Sequence, residues 1–162
     1  LVRKLSEKLG ANYQYLSVPA SAPTQEIAQI LVETTNLRDS LKRAGQCDVA
    51  VLGIGALGSG STDAFLKIAN ASAEELREAR EAGVVGQISS LLFTADGQEA
   101  DIALNRRLFS VSLDQIRTIP EVALVALGPE KALAVGGALN GSLGTSLIVD
   151  VPLAEKLLEA PN

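Results

Sequence analysis

The 162-residue sequence contains no histidine, no methionine, no tryptophan and a single cysteine. Without histidine, Ser-His-Asp and Cys-His nucleophilic catalysis are excluded, as are the usual zinc and non-haem iron sites. Any acid–base work would fall to carboxylates or lysine. With Cys47 alone, no intrachain disulfide can form and no thiolate cluster can hold a metal, which fits a reducing, cytoplasmic setting. No apolar run approaches the roughly 18 residues that span a bilayer, and no signal peptide is visible. A membrane is therefore not an expected partner. The chain opens at Leu1 in mid-helix character, so upstream sequence is expected.

Aromatic residues are also scarce, with three Phe and two Tyr, yet 47% of the residues are apolar. Ala, Leu, Val, Ile and Gly must therefore carry the core, as in α/β folds whose buried strands are short aliphatic runs. The length points to one domain, or most of one. A formal charge of −5 argues against this segment alone holding nucleic acid, because phosphate contacts need clustered Lys and Arg.

Residues 1–9 place apolar side chains at 1, 2, 5 and 9, a helical stripe that ends at Gly10. Residues 12–18 alternate and carry both tyrosines, which predicts a strand stopping at Pro19. Thr24 is placed to cap a helix through Leu31, and a second helix is predicted from Leu37 to Ala44. Asp48 to Gly55 reads as a buried strand, followed by a Gly/Ser loop from Ala56 to Thr62. Ser72-Ala-Glu-Glu75 is a capping-box pattern opening a helix that ends at Gly83. Residues 84–93 read as one strand, with a tight turn at Ala95-Asp96-Gly97. A short strand at 108–111 then precedes a helix capped by Ser112. Val122 to Leu127 and Leu143 to Val149 are further buried strands. Each leads into a helix, one opened by Gly128-Pro129 and the other running from 151 to 158. This alternation predicts a Rossmann-like, doubly wound, mainly parallel α/β sheet with a hairpin-like insertion around Asp96.

Ligands of such sheets bind beyond the carboxyl ends of the strands. Three of these ends are polar or glycine-rich. The first, Gly53-Ile-Gly55-Ala-Leu-Gly58, spells the dinucleotide GxGxxG. Ser59-Gly60-Ser61 prolongs that loop where a helix should open, and no acid follows at the end of the next strand, so no nicotinamide cofactor is expected. The second is Gly128-Pro-Glu-Lys131, where a lysine in a helix's first turn makes sense if an anion shares the site, although a solvated lysine fits equally. The third is Asp150, which suits an N-cap or a ligand group. Gln87 lies on a buried-looking strand, where its amide needs either a ligand hydroxyl or a backbone group as partner. Arg106-Arg107 reads as a solvated face or an anion patch. Among the carboxylates, Asp96, Glu130 and Asp150 show no acid–base pairing by sequence.

The segments DVAVLGIGALG, AGVVGQISSLLFTADG, SLDQIRTIPEVALVALGPEKALAVGGALNG and SLIVD, in that order, resemble the SorC family of sugar-responsive transcriptional regulators. The likeness runs from about Gly10 to Leu158. It implies a non-enzymatic effector domain related in fold to phosphosugar isomerases and deaminases, an enzyme of that type being the alternative. It further implies a phosphorylated sugar as effector, a homo-oligomer (dimer or tetramer) and operator DNA bound through an N-terminal helix-turn-helix. By this resemblance Lys131, in the motif Gly128 to Lys131, corresponds to the family's phosphate-binding lysine, and Gly55, Gly86 and Gln87 to pocket positions; with Gly53, Ser59 and Gly128 from the strand-end loops, these are the expected ligand-binding residues. The sequence departs from the pattern in two ways. Thr94 stands where the family has aspartate, and the family's earlier strand and phosphate loop are absent, so only part of an effector pocket is expected in residues 1–162.

Overall fold

The computed structural model describes residues 2–34 and 36–159, which form eight α-helices, five strands and two 3-10 turns. The helices are α1 Val2–Leu9, α2 Gln25–Thr34, α3 Leu37–Gly45, α4 Gly60–Ile68, α5 Ala73–Glu81, α6 Leu113–Arg117, α7 Ala132–Asn140 and α8 Val151–Glu159. The strands are β1 Val49–Ala56, β2 Val84–Ile88, β3 Leu91–Thr94, β4 Glu121–Ala126 and β5 Ser146–Val149, in the sheet order β3-β2-β1-β4-β5. β1, β4 and β5 pair in parallel, while β2 is antiparallel to both β1 and β3. Four of the five strands therefore run the same way, and the predicted mainly parallel α/β sheet stands.

The aliphatic runs form the strands because their alternate residues fill a common core. Ile54, Ala56, Ile88, Val122, Leu124 and Ala126 are buried together with Ala134, Val135 and Ala138 of α7. A smaller cluster of Ala22, Ala28, Leu37 and Phe109 fixes α2 and α3. The opposite face of β1 is covered only at its end, where Thr62 of α4 lies on Gly55. Helices thus pack on both faces. Along the rest of that second face the register aligns Val51 with Ala123 and Val125 with Ile148. Val49, Val51 and Ile148 are 62%, 69% and 55% exposed there.

Several predicted elements take a different form. Residues 12–17 make an exposed extended segment, not a strand, because no neighbouring strand pairs with them; Tyr13 and Tyr15 contact each other edge-on. Residues 84–93 are a hairpin rather than one strand, turning at Ser89 and Ser90 with φ of 49° and 86°. Residues 108–111 form a single bridge, Ser21 to Leu108, in place of a strand. α4 begins at Gly60, so the predicted Gly/Ser loop shrinks to three residues, 57–59. The Gly128-Pro129 helix starts as a 3-10 turn, Pro129–Lys131, before α7. Both capping boxes form, Ser72 with Glu75 and Ser112 with Gln115. Leu1 lies outside the described residues. Among those described, no helix is long and apolar enough to cross a membrane.

Candidate functional site

The parallel register brings the carboxyl ends of β1, β4 and β5 side by side. Gly53 faces Val125, and Ala126 faces Val149, so the 57–59 loop, Gly128 and Asp150 lie along one edge of the sheet. Gly55 and Gln87 are cross-strand partners on β1 and β2. A Cβ on Gly55 would overlap the Thr62 hydroxyl and lie 3.4 Å from Gln87 Oε1. Glycine is required there by this close approach. Thr62 is fully buried, and its hydroxyl has no hydrogen-bond partner among the described residues. Among the described residues the half-buried Gln87 side chain has no hydrogen-bond partner either. It also lines a cavity of about 840 Å³ with Gln14, Tyr15, Ser40, Arg43 and Ser89, a volume within the range of small-ligand sites.

Predicted residues divide by place. Gly53, Gly55 and Gln87 share one sheet face, and Ser59 stands at the start of α4. The Ser59 hydroxyl donates to Ala56 O (2.8 Å) and does not cap the helix. Gly86 points the other way. Its Cβ would sit 2.7 Å from both Ala134 Cβ and Phe93 Cζ, so tight packing against α7 explains that glycine and removes it from the cluster. Gly128, with φ of +98°, donates its N–H to the Asp150 carboxylate at 3.1 and 3.2 Å. That N–H is already engaged and is not offered to a phosphate. Asp150 also accepts from Leu153 N at 3.3 Å, the N-cap role its position suggested. Lys131 is half-buried on a turn packed against β1 and α8, and among the described residues its ammonium has no ion-pair partner. Thr94 donates to the Asp96 carboxylate, which holds Asp96 below the usual carboxylate range. No group of three or more potential metal ligands occurs among the described residues.

The dinucleotide reading loses one objection, since α4 does open right after the glycines. It keeps another: β2 runs antiparallel to β1, so no parallel βαβ unit follows, and its end at Ile88-Ser89 offers no acid for a ribose.

A family model for this architecture, Sugar-bind ("Putative sugar-binding domain"), matches residues 1–159. The chain belongs to this sugar-binding domain family. Among curated relatives, the transcriptional regulator LsrR of Klebsiella pneumoniae subsp. pneumoniae is 32% identical over 145 residues, covering 88% of this chain and 45% of the relative. LsrR of Escherichia coli O139:H28 is 30% identical over 146 residues, 90% of this chain and 46% of the relative. The chain thus spans about half the length of these regulators. A DeoR family transcriptional regulator from Listeria monocytogenes superposes with a TM-score of 0.86 at 30% identity, over 96% of this chain and 62% of that one. The full-length sorbitol operon regulator SorC from Klebsiella pneumoniae shares the fold, with a TM-score of 0.84 at 23% identity, over 95% of this chain and 49% of that one.

The placement of Thr62 was not legible in the sequence of the sugar-binding domain. It stood at the end of a presumed loop, and only the helix beginning at Gly60 turns its side chain onto Gly55. The one available signal was its spacing of seven residues from Gly55.

Proposed function

We propose that the domain senses a phosphorylated sugar in a bacterial, cytoplasmic transcriptional regulator and changes operator binding through the regulator's homo-oligomer. The observation that carries this reading is Gln87, an amide with no hydrogen-bond partner among the described residues, set between a mixed apolar and polar cavity and the end of β1. An amide so placed loses stability unless a ligand or solvent completes its hydrogen bonds, and sugar hydroxyls both donate and accept. Tyr15 and Gln14 on the same wall suit a sugar ring. Lys131, half-buried and without a counter-ion among the described residues, supplies positive charge at the neighbouring strand end. Family membership and the regulator names of the relatives favour sensing over turnover. DNA contact is assigned to sequence outside residues 1–162, whose charge of −5 is unsuited to it. Effector binding changes the oligomer only through its differential affinity for two states.

The test is a thermal-shift panel on the full-length protein, comparing hexose and pentose monophosphates with the same sugars dephosphorylated. A ligand that binds only the native state raises Tm, so some monophosphates stabilise and the free sugars do so far less. Lys131→Ala and Gln87→Ala each reduce that stabilisation. Equal indifference to every monophosphate overturns the proposal. Conversion of any of them into product favours the isomerase or deaminase alternative instead.

A further inference from the structure

Among the described residues, six of the eight arginines pair with a carboxylate. Of the two others, Arg80 lines a groove that also holds Asp63. Arg43, in the last turn of α3, has no ion-pair or side-chain hydrogen-bond partner among the described residues. It is exposed and borders the cavity of about 840 Å³ that Gln87 lines. No Asp or Glu borders that cavity, and Arg43 is the one charged side chain on its walls. A cation left without a counter-charge beside a concave site favours an anionic occupant. The guanidinium also fits one, because two of its N–H groups lie parallel and match the paired oxygens of a carboxylate or phosphate.

The rest of the cavity suits a hydroxylated molecule. Its walls come from residues 12–16, α3, the β2–β3 turn and residues 109–111. Two hydrogen bonds tie these walls in pairs. Gln14 Nε2 donates to Ser40 Oγ at 3.0 Å, and Ser110 Oγ donates to Ser89 O. The Tyr15, Ser89 and Ser90 hydroxyls and the Gln87 amide have no partner among the described residues. Each of them both donates and accepts, as sugar hydroxyls require. Lys131 does not border this cavity, since it stands on the turn packed against β1 and α8.

We infer that Arg43 reads the charge of the ligand held in the Gln87 cavity, and that this ligand is a sugar carrying one anionic group, a phosphate monoester or a carboxylate. The anion then lies against α3, on the opposite wall from the β2–β3 turn, and is a contact separate from Lys131. This inference rests on the effector reading above and names a residue that sets its specificity.

Titration calorimetry on the full-length protein tests it, with hexose and pentose monophosphates, gluconate, and the neutral parent sugars as probes. Cys47 supplies a second readout, because it is half-buried on a wall of the same cavity. Its alkylation by iodoacetamide, followed by peptide mass spectrometry, is slowed by a ligand that fills the cavity. At least one anionic probe binds and slows this alkylation. Arg43→Gln weakens that probe by roughly tenfold or more, the scale of lost charge-assisted hydrogen bonds. Arg43→Lys, which keeps the charge without the fork, falls between the two. Neutral sugars bind wild type and Arg43→Gln alike, and the ligand-free Tm of Arg43→Gln matches wild type, since the side chain holds nothing in the fold. Monophosphates alone responding assigns a phosphate to Arg43, and gluconate alone a carboxylate. Wild-type affinity in Arg43→Gln, with Lys131→Ala impaired, overturns Arg43 as the charge contact and leaves the sugar-phosphate reading standing. So does a monophosphate that binds without slowing Cys47 alkylation. Failure of the wild type to bind any anionic probe overturns both.

Discussion

Arg107 grips Glu75 through two parallel hydrogen bonds, Nε to Oε1 at 2.7 Å and Nη2 to Oε2 at 2.8 Å, with both side chains largely buried. The rest of the guanidinium donates to Ala22 O, Ala69 O, Asn70 O and Ser21 Oγ at 3.0–3.1 Å. One side chain thereby ties the loop before α2, the end of α4 and the start of α5.

Arg107→Ala leaves a buried carboxylate and several carbonyls without their donor. Its cost is about 3–5 kcal/mol, as for other half-removed buried pairs. Chemical denaturation should show it as a lower midpoint at an unchanged slope.

The same pair sets an acid limit. Hydrogen bonding from Arg107 holds Glu75 below the ordinary glutamate value, and the Ser72 N–H adds to the effect against a desolvation that opposes it. A carboxyl depressed on folding contributes stability that is fully present above its unfolded value, about 4.3, and lost as pH falls through the folded one. The stability advantage of wild type over Glu75→Gln should therefore shrink in acid below that value and stay constant from pH 6 to 8. An advantage that grew on acidification would contradict the assignment.

These contacts also mark where the sequence was silent. The strands at β1, β4 and β5 were legible as uninterrupted aliphatic runs, and the Ser72–Glu75 capping box was legible as a local four-residue pattern. Arg107 was not, since its partners come from positions 21–22, 69–70 and 75 and only the fold collects them. The break between β2 and β3 was hidden because two serines adopt positive φ where Asn-Gly would have announced a turn. Tyr13 and Tyr15 alternate as in a strand, but alternation cannot tell whether a pairing edge exists nearby. Gly55 and Gln87 were both expected at strand positions, and the structure sets them side by side on β1 and β2. Gly86 was wrongly grouped with them because alternate strand residues face opposite ways, and Thr62 was lost with the misread start of α4.

Gly55→Ala tests the close approach to α4. Its Cβ would overlap the Thr62 hydroxyl in a buried setting, for an overpacking cost of about 1–3 kcal/mol. Thr62→Ala in the same chain should recover part of that loss. Additive losses in the double variant would show that the two residues do not meet.

Asp150→Ala removes the α8 cap and the acceptor for Gly128 N together. Loss of the cap alone costs about 1 kcal/mol, while Asp150→Asn keeps most of it, because asparagine caps as well. Thermal melts of the two variants should rank wild type, then Asn, then Ala.

The uncovered sheet face around Val49, Val51 and Ile148 bears on how the chain behaves in a test tube. An apolar surface of this kind on a monomer rarely stays without a neighbour, so residues 1–162 produced alone should bind the dye ANS and self-associate as concentration rises. Val51→Lys, at a position 69% exposed, should suppress both without lowering the melting point. Handling conditions for the isolated chain are thus set by the stretch of that sheet face which α4 leaves bare.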